Sequence, residues 1–395
     1  MIQEEGPPPR RYFDWAATAI PHALRETDSR FGNFGNPSSP HLEGRRAREY
    51  LEDARTRSAL VLGVPPRTIY FTSGATESNA IVLHSRLLNR GNGRILYSAA
   101  EHPSIRENCR VLEGLGKPVT VIPVDGNGGV PPGMLSGILE KHRDARFAAI
   151  MAVNNETGAV TDMTAIRDVL GKREGPPVHL HCDITQAVGR VPVDLSLWDV
   201  DSAALSAHKL GGPRGAGILY LRKPVPVLYS GGGQEGGIRP GTENTEGAQA
   251  LASLLELRAS SAAVLKEYGK AVRRWNVLLD ALRSMDRCFL IPQDRANGKV
   301  PAEPLCTEPF SPYIVQAAFS GIPGEVMVRA LDDLGFAVST GSACSSSSPE
   351  RPVLAAMGVA PSRILEGIRI SQGWLTTVED IEALAGAIRE VLKFL

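Results

Sequence analysis

The sequence contains no apolar run long enough to span a bilayer, and its first ten residues are polar and rich in proline. This pattern predicts neither a transmembrane helix nor a signal peptide, so we expect a cytoplasmic protein without a membrane partner. Neither sign of charge is in excess, because 43 Lys and Arg residues balance 43 Asp and Glu residues. Bulk electrostatics therefore do not favour nucleic acid as a partner.

Cysteine is scarce, with five residues and no Cys-x-x-Cys pair. An odd number of scattered cysteines argues against a disulfide framework. Four of them lie in apolar or otherwise ordinary stretches, and we interpret these as structural. Cys344 differs, because it lies among glycine and serine residues at positions 340–348. Free cysteines are mostly buried and inert, so this setting favours an accessible, reactive thiol.

The 395 residues exceed what one compact core usually holds, which predicts two domains. Short apolar strands alternate with amphipathic helices between residues 45 and 182. This order indicates an α/β fold with a mainly parallel sheet that is covered on both faces. A nearly unbroken helical pattern follows at residues 246–275, and a smaller α+β set of elements completes the chain.

We place the domain boundary in that helical stretch, near residue 260. The predicted large domain comprises residues 19–261, and the small domain comprises residues 1–18 together with 262–395. The last helix is expected to start at Thr376, with Glu379 completing a capping box.

Two short motifs are rejected on their context. Residues 231–236 fit G-x-G-x-x-G, but more glycine and proline follow instead of an amphipathic helix, so a dinucleotide site is not predicted. His179, His181 and Cys182 have the side-chain types of metal ligands. On a strand, however, Cys182 points away from the two histidines, and we expect no metal site.

Lys209 is the strongest candidate for catalysis. It closes the run Ser206-Ala207-His208-Lys209 after a strand-like segment, directly before glycine-rich chain. Lysine is rare at a buried strand end unless its amine forms a covalent bond or an ion pair. A desolvated lysine can bond to an aldehyde such as that of pyridoxal 5'-phosphate. The alternative for this motif alone is an exposed loop lysine.

Three further positions suit such a cofactor and its substrate. Ser73-Gly74-Ala75-Thr76 joins a strand to a helix, which either binds phosphate or simply caps the helix. Asp183 follows an apolar strand, where a carboxylate either holds a pyridinium nitrogen or caps a helix. Arg369 lies in an apolar stretch, and its partner is either a substrate carboxylate or an internal carboxylate.

Taken together, these stretches resemble the cysteine desulfurases of the class V aminotransferase family, which are pyridoxal phosphate enzymes of fold type I. The similarity runs from Tyr12 to near the C-terminus. The motifs that carry it are Phe71-Thr72-Ser73-Gly74-Ala75-Thr76-Glu77, Glu101-His102, Val153-Asn154-Asn155-Glu156, Asp183-x-x-Gln186, Ser206-Ala207-His208-Lys209, Arg239-x-Gly241-Thr242 and Thr340-Gly341-Ser342-Ala343-Cys344.

The resemblance implies a large domain with a seven-stranded sheet and a site for pyridoxal 5'-phosphate. Lys209 would carry the cofactor, Asp183 would pair with its ring nitrogen, and His102 would stack on the ring and take part in catalysis. Asn155 and Gln186 would flank the ring hydroxyl. The phosphate would be held by Ala75, Thr76, Ser206 and His208, with Thr242 from the other subunit of a homodimer.

The resemblance also implies the reaction. Asn36, Asn155 and Arg369 would bind the substrate L-cysteine, and Cys344 would take its sulfur as a persulfide. The spacing from Cys344 to Arg369 matches the family's long-loop branch, which hands sulfur to an acceptor protein such as an iron–sulfur scaffold or a tRNA-thiolation protein. The alternatives are a selenocysteine lyase, an aminotransferase, or a non-catalytic sulfur-transfer scaffold.

The sequence departs from the family pattern in two places. Gln372 stands where relatives usually carry an apolar residue, in the run Ile370-Ser371-Gln372-Gly373-Trp374. The polar loop at residues 294–312 is longer than expected. Both departures concern the substrate side of the predicted site.

Overall fold

The structure is a computed structural model, and it describes residues 10–22, 34–88, 91–296, 309–341 and 351–395. The strands are β1 (Arg11–Tyr12), β2 (Ile69–Thr72), β3 (Arg94–Ser98), β4 (Val119–Ile122), β5 (Ala145–Ala149), β6 (His179–Asp183), β7 (Ser202–Ser206), β8 (Gly217–Leu221), β9 (Cys288–Ile291), β10 (Ile314–Phe319), β11 (Phe336–Ala337) and β12 (Gly367–Ser371). The helices are α1 (Leu42–Leu62), α2 (Ala75–Leu88), α3 (Pro103–Gly114), α4 (Pro132–Lys141), α5 (Met163–Lys172), α6 (Thr245–Ala259), α7 (Ser261–Arg283), α8 (Gly324–Asp333), α9 (Pro352–Ala356), α10 (Pro361–Glu366) and α11 (Val378–Phe394). None of the helices in these described ranges is long and apolar enough to cross a membrane.

The largest sheet has seven strands in the order β2-β8-β7-β6-β5-β3-β4. Strand β8 runs antiparallel to both of its neighbours, and the other pairings are parallel. Parallel neighbours need crossover connections; α3, α4 and α5 lie in those that join β3 to β4, β4 to β5 and β5 to β6, and residues 184–201 join β6 to β7 without a helix. The predicted α/β fold with a mainly parallel seven-stranded sheet is confirmed.

Both faces of this sheet are buried, as the sequence pattern requires. Successive side chains of a strand point to opposite faces. In β3, Ile95 and Tyr97 pack in a core with α2 and α3, whereas Leu96 packs in the core on the other face. The strands consequently read as continuous apolar runs and not as alternating ones. Polar side chains at the strand ends therefore stand out as candidates for function.

A second core lies around the antiparallel sheet β12-β10-β9, against α7, α8 and α11. Phe13, close to the start of the described chain, is buried in this core, and β1 pairs in parallel with β11. The N-terminal segment therefore packs with the C-terminal elements. The domain limits given above stay a prediction.

The helical stretch predicted at residues 246–275 is two helices in the structure. Ser260, with ψ of 144°, lies between α6 and α7 and interrupts the helical backbone. The predicted start of the last helix is wrong by one residue. Thr377 is the N-cap, and Asp380 completes the capping box in place of Glu379.

Candidate active site

A cavity of about 230 Å³ lies at the carboxyl ends of β6 and β7, beside the amino end of α2. Ligands of open α/β sheets bind at this edge. The residues predicted from the sequence that line this cavity are Ala75, Thr76, His102, Asn155, Asp183, Gln186, Ser206, His208, Lys209 and Arg369. A larger cleft of about 770 Å³ lies elsewhere and contains none of them. The cavity at the carboxyl ends is therefore the candidate active site.

Lys209 reaches this cavity from a single 3-10 turn, Ala207–Leu210, which follows β7 directly. Its Nζ donates to the carbonyl oxygens of Ala16 and Ala17 at 2.6 and 2.7 Å. Burial, together with the nearby cations Arg369 and Arg190, lowers the pKa of Lys209 to about 7. Because carbonyl groups do not hold a proton on the amine as a carboxylate would, Lys209 is partly neutral at neutral pH. A neutral amine is the nucleophilic form of lysine.

Asp183 is the last residue of β6, and its side chain is almost fully buried. Its Oδ1 accepts a hydrogen bond of 2.9 Å from the Thr185 backbone N–H, and its Oδ2 accepts one of 3.0 Å from Asn79 Nδ2. Among the described residues it forms no ion pair. A buried carboxylate with neutral donors alone is suited to a cationic group in the cavity.

His102 is the N-cap of α3, and its position is fixed by that role. Its Nδ1 accepts hydrogen bonds from the Ser104 backbone N–H at 3.1 Å and contacts Ser104 Oγ at 2.9 Å. Burial lowers the pKa of His102, so its ring is neutral at neutral pH. A neutral, buried imidazole at the cavity wall can stack on a planar ring.

Gln186 lies on the wall of the cavity and is held at both ends of its amide. Its Nε2 donates to the Ala16 carbonyl at 3.0 Å, and its Oε1 accepts from Arg190 Nη1. Arg190 also donates to the Lys209 carbonyl at 3.2 Å. The buried Arg190 therefore connects a wall residue to the chain of the candidate catalytic lysine.

The amino end of α2 and the end of β7 meet at one side of the cavity. Ser206 Oγ accepts a hydrogen bond of 2.7 Å from the Ala75 backbone N–H, which joins the two elements. Thr76 and His208 line the same side. Burial lowers the pKa of His208 to about 4, so this ring is neutral. A helix amino end with hydroxyl groups beside it is suited to a phosphate group.

Arg369, on β12, is buried at the edge of the cavity. Its Nη2 forms an ion pair of 2.8 Å with Asp14 Oδ1, and its Nη1 donates to the Asn155 carbonyl at 2.9 Å. Its Nε has no hydrogen-bond partner among the described residues. The internal ion pair, one of the two partners that the sequence allowed for Arg369, is thus present. One buried N–H group of the guanidinium remains for another ligand.

Two predicted site residues that the structure describes are not brought to this cavity. Asn36 is exposed, and its Oδ1 accepts from the Ser38 backbone N–H at 2.9 Å within a turn. Thr242 is exposed and does not line the cavity of its own chain. Cys344 lies outside the described residues.

The departure at Gln372, next to the end of β12, has a structural explanation, whereas most of the loop at residues 294–312 lies outside the described residues. Gln372 is fully buried and its amide is satisfied, since it accepts from Arg274 at 2.7 Å and donates to the carbonyls of Ala271 and Pro312. The Trp374 ring carries the Arg258 guanidinium 3.9 Å from its centre. Gln372 therefore joins β12 to α7 and does not enter the cavity.

The sequence reasoning missed Asn79, Ser104 and Asp14, all of which contact predicted site residues. Asn79 follows Ala75 by four positions and therefore lies on the same face of α2. A polar residue at that spacing from the cavity was a usable signal. Asp14 carried no such signal, because its contact with Arg369 joins positions 355 residues apart.

The sequence matches those of known proteins over nearly its whole length. The chain is 36% identical over 367 residues to the Cysteine desulfurase IscS of Methanosarcina thermophila, covering 91% of this chain and 86% of that protein. It is 35% identical over 395 residues to the Cysteine desulfurase IscS of Dictyoglomus turgidum, covering 97% and 94%.

The fold is also that of a solved structure, described as a NIFS-like protein. The two chains agree with a TM-score of 0.84 at 31% sequence identity, covering 98% of this chain and all of the other. A family model described as Aminotransferase class-V matches residues 11–384. The chain therefore belongs to the class-V aminotransferase family, as its sequence predicts.

Proposed function

We propose that this protein is a cysteine desulfurase that uses pyridoxal 5'-phosphate to remove sulfur from L-cysteine, giving L-alanine and a persulfide on Cys344. The observation that carries the proposal is the presence, in one cavity, of Lys209 with its pKa lowered to about 7 and of the buried carboxylate of Asp183. Both curated relatives described above are named cysteine desulfurases.

The residues of the cavity fit the cofactor of this family. Lys209 supplies a partly neutral amine for the aldehyde, and Asp183 supplies a buried carboxylate for the ring nitrogen. His102 would stack on the ring, and Asn155 and Gln186 would flank its hydroxyl. The phosphate would be held by Ala75, Thr76, Ser206 and His208 at the amino end of α2.

When bound, pyridoxal phosphate supplies an electron sink, because its protonated ring accepts the electron pair that a departing substrate proton leaves behind. Lys209, as a neutral amine, removes the proton from the substrate Cα. Arg369 binds the substrate carboxylate through its unpaired Nε, with Asn155 beside it. Arg369 and Asn155 are both buried, which limits the contact of their polar groups with water.

Cys344 completes the reaction as the acceptor of sulfur. Its thiolate attacks the sulfur atom of the substrate, the carbon–sulfur bond breaks, and the carbon skeleton leaves as alanine. The sulfur stays on Cys344 as a persulfide and passes to an acceptor by thiol exchange. Buried thiols would not serve, because burial raises the pKa of Cys109 and Cys182, and that of Cys288 to about 12.

The active unit is a homodimer with composite sites. Thr242 is exposed and does not line the cavity of its own chain, which is consistent with a contact to the partner's phosphate site. Leu228 and Tyr229, just before the segment that carries Thr242, expose apolar surface that a second copy would cover. Asn36 would also bind the substrate, as the family resemblance implies.

The natural setting is cytoplasmic, with an acceptor protein as the sulfur-receiving partner. An iron–sulfur scaffold or a tRNA-thiolation protein has the thiol chemistry that the exchange requires. No direct contact with nucleic acid is needed, and the chain carries a formal net charge of zero.

The experiment that tests the function measures products from L-cysteine with a thiol reductant present. A cysteine desulfurase releases alanine and sulfide in equal amounts. Formation of a keto acid in place of alanine would indicate an aminotransferase. Turnover of L-selenocysteine with none of L-cysteine would indicate a selenocysteine lyase.

A further inference from the structure

A set of buried polar side chains lies directly behind the candidate active site. Asn79, on α2, is fully buried and contacts the side chains of three residues from two other elements. They are Asp183 and His181 on β6 and Ser104 on α3. No residue of this set other than Asp183 has a role in the proposed mechanism.

The directions of the hydrogen bonds at Asn79 follow from the chemistry of its amide. Its Nδ2 carries two hydrogens and donates to Asp183 Oδ2 at 3.0 Å and to Ser104 Oγ at 2.9 Å. Its Oδ1 can only accept, and it lies 2.8 Å from His181 Nε2. His181 must therefore carry a hydrogen on Nε2.

The other nitrogen of His181 is then an acceptor. Burial lowers the pKa of His181 to about 4, so its ring is neutral and holds only the Nε2 hydrogen. Its Nδ1 lies 2.8 Å from Ser202 Oγ, which must donate to it. Ser202 Oγ in turn lies 2.7 Å from His179 Nε2 and accepts from that ring. Every donor from His179 to Asn79 thus points toward Asp183.

The second hydrogen of the Asn79 amide leads to His102. Ser104 Oγ accepts from Asn79, which leaves its own hydrogen for His102 Nδ1, 2.9 Å away. His102 Nδ1 also accepts from the Ser104 backbone N–H, so its ring hydrogen is on Nε2. The Asn79 amide therefore donates directly to the carboxylate of the candidate site and, through Ser104 Oγ, supports the hydrogen position that the Ser104 backbone N–H sets on the imidazole.

We infer that Asn79 is a positioning residue, which holds Asp183 as a hydrogen-bond acceptor and His102 with its Nε2–H toward the cavity, while His181 prevents the Asn79 amide from turning over. A rotated amide would place Nδ2 against His181 Nε2–H and Oδ1 against the Asp183 carboxylate. Both contacts would be repulsive in a site without water to relieve them. This inference rests on the proposed function, since it assigns Asp183 and His102 to the cofactor.

The test uses the full-length chain with nitrogen-15 in its histidine rings, before and after loading with pyridoxal 5'-phosphate. Long-range proton–nitrogen spectra identify which ring nitrogen carries hydrogen. We expect His181 and His102 to be neutral with hydrogen on Nε2. A hydrogen on Nδ1 of His181, or a charged His181 ring at neutral pH, would overturn the inference.

Three variants separate positioning from a general loss of structure. Asn79→Asp has nearly the same shape but only acceptors, so it should weaken cofactor binding about tenfold or more and change the His102 and His181 resonances. Ser104→Ala removes only the branch to His102 and should change that resonance alone. His84→Gln is the matched control, because His84 bonds to Asn108 at 2.7 Å between α2 and α3, outside this set.

Cofactor affinity is measured by titrating each variant with pyridoxal 5'-phosphate in the absence of cysteine. Unchanged affinity in Asn79→Asp, or equal losses in Asn79→Asp and His84→Gln, would overturn the inference. If Asn79→Asp does not fold, the inference is tested by the ring-nitrogen spectra of the unaltered protein and by the His102 resonance of Ser104→Ala. The ring-nitrogen spectra and the cofactor affinity do not depend on sulfide release. They therefore test the role of Asn79 separately from the proposed desulfurase activity.

Discussion

Arg369 and Asp14 form an ion pair of 2.8 Å between Nη2 and Oδ1 at the edge of the candidate active site. The pair joins β12 to the segment that follows β1, and Asp14 also forms a β-bridge with Ser371. Because Arg369 is almost fully buried, its orientation is fixed before any substrate arrives. A substrate carboxylate would therefore meet a pre-oriented guanidinium and would share it with Asp14.

Substituting Arg369 tests its proposed contact with the substrate carboxylate. Arg369→Gln should raise KM for L-cysteine by about tenfold to a hundredfold, because a charge-assisted hydrogen bond is lost. Arg363→Gln changes an arginine that pairs with Glu366 and lies over the Phe289 ring, away from the cavity, and it should leave KM unchanged. Steady-state kinetics with both variants measure the effect. An unchanged KM in Arg369→Gln would remove this residue from the substrate site.

Lys209→Ala should abolish turnover and remove the chromophore that borohydride reduces, since Lys209 is the one lysine among the described residues that lines the cavity. Lys223→Ala, which changes an exposed lysine, should keep both properties. Absorbance spectra before and after borohydride treatment provide the measurement. A reducible chromophore in purified Lys209→Ala would show that another lysine carries the cofactor.

The pKa of Lys209 sets the pH dependence of cofactor capture by the apoprotein. The neutral amine reacts and the protonated amine does not, so the rate should fall about tenfold per pH unit below about 7 and level off above it. Stopped-flow absorbance after addition of pyridoxal 5'-phosphate gives this profile.

A variant of Arg369 provides a control for this pH profile, because the charge of Arg369 contributes to the lowered pKa of Lys209. Arg369→Gln removes that charge, so the midpoint of the profile should move to higher pH. A midpoint near the ordinary lysine value in the unaltered protein would contradict the account of Lys209.

The buried ion pair between Arg55 and Glu235 should matter for stability. The guanidinium binds both carboxylate oxygens at 2.8 Å, and Glu235 Oε2 also accepts from the Phe71 backbone N–H. Glu235→Ala removes the buried, bidentate partner of Arg55 and leaves it only the more exposed carboxylate of Glu52, so it should lower the free energy of unfolding by about 3 kcal/mol.

An exposed pair provides the comparison for Glu235→Ala. Asp144→Ala breaks the contact with Arg94, whose partner carboxylate is largely exposed, and should cost at most about 1 kcal/mol. Chemical denaturation of both variants measures the difference. Equal losses would mean that burial adds nothing to the Arg55–Glu235 pair.

The sequence predicted the large sheet well because its signals are local. The alternation of strands and helices predicted between residues 45 and 182 is present as α1 to α5 and β2 to β6. The break at Ser260 was missed because apolar residues continue at helical spacing on both sides of it. A change of backbone direction at a serine leaves that periodicity intact.

The site was predictable where a residue ends a strand or begins a helix, as Asp183 and Ala75 do. The roles of Asn79 and His181 were not predictable from the sequence, because they depend on a contact between two residues that lie 102 positions apart. By residue type His181 resembles a metal ligand, whereas in the structure Ser202 and Asn79 occupy its two nitrogens.

The most direct test of the central claim is the location of the sulfur after one turnover. The protein is exposed briefly to L-cysteine without reductant, digested, and analysed by mass spectrometry. The account predicts one added sulfur atom on the peptide that contains Cys344, removable by reductant, and none in Cys344→Ser, which should still bind the cofactor. Cys288→Ser serves as the matched control and should behave like the unaltered protein, since partial burial raises the pKa of that thiol to about 12 and keeps it protonated. Release of alanine and sulfide by Cys344→Ser at the unaltered rate, with no sulfur on this peptide, would contradict the account.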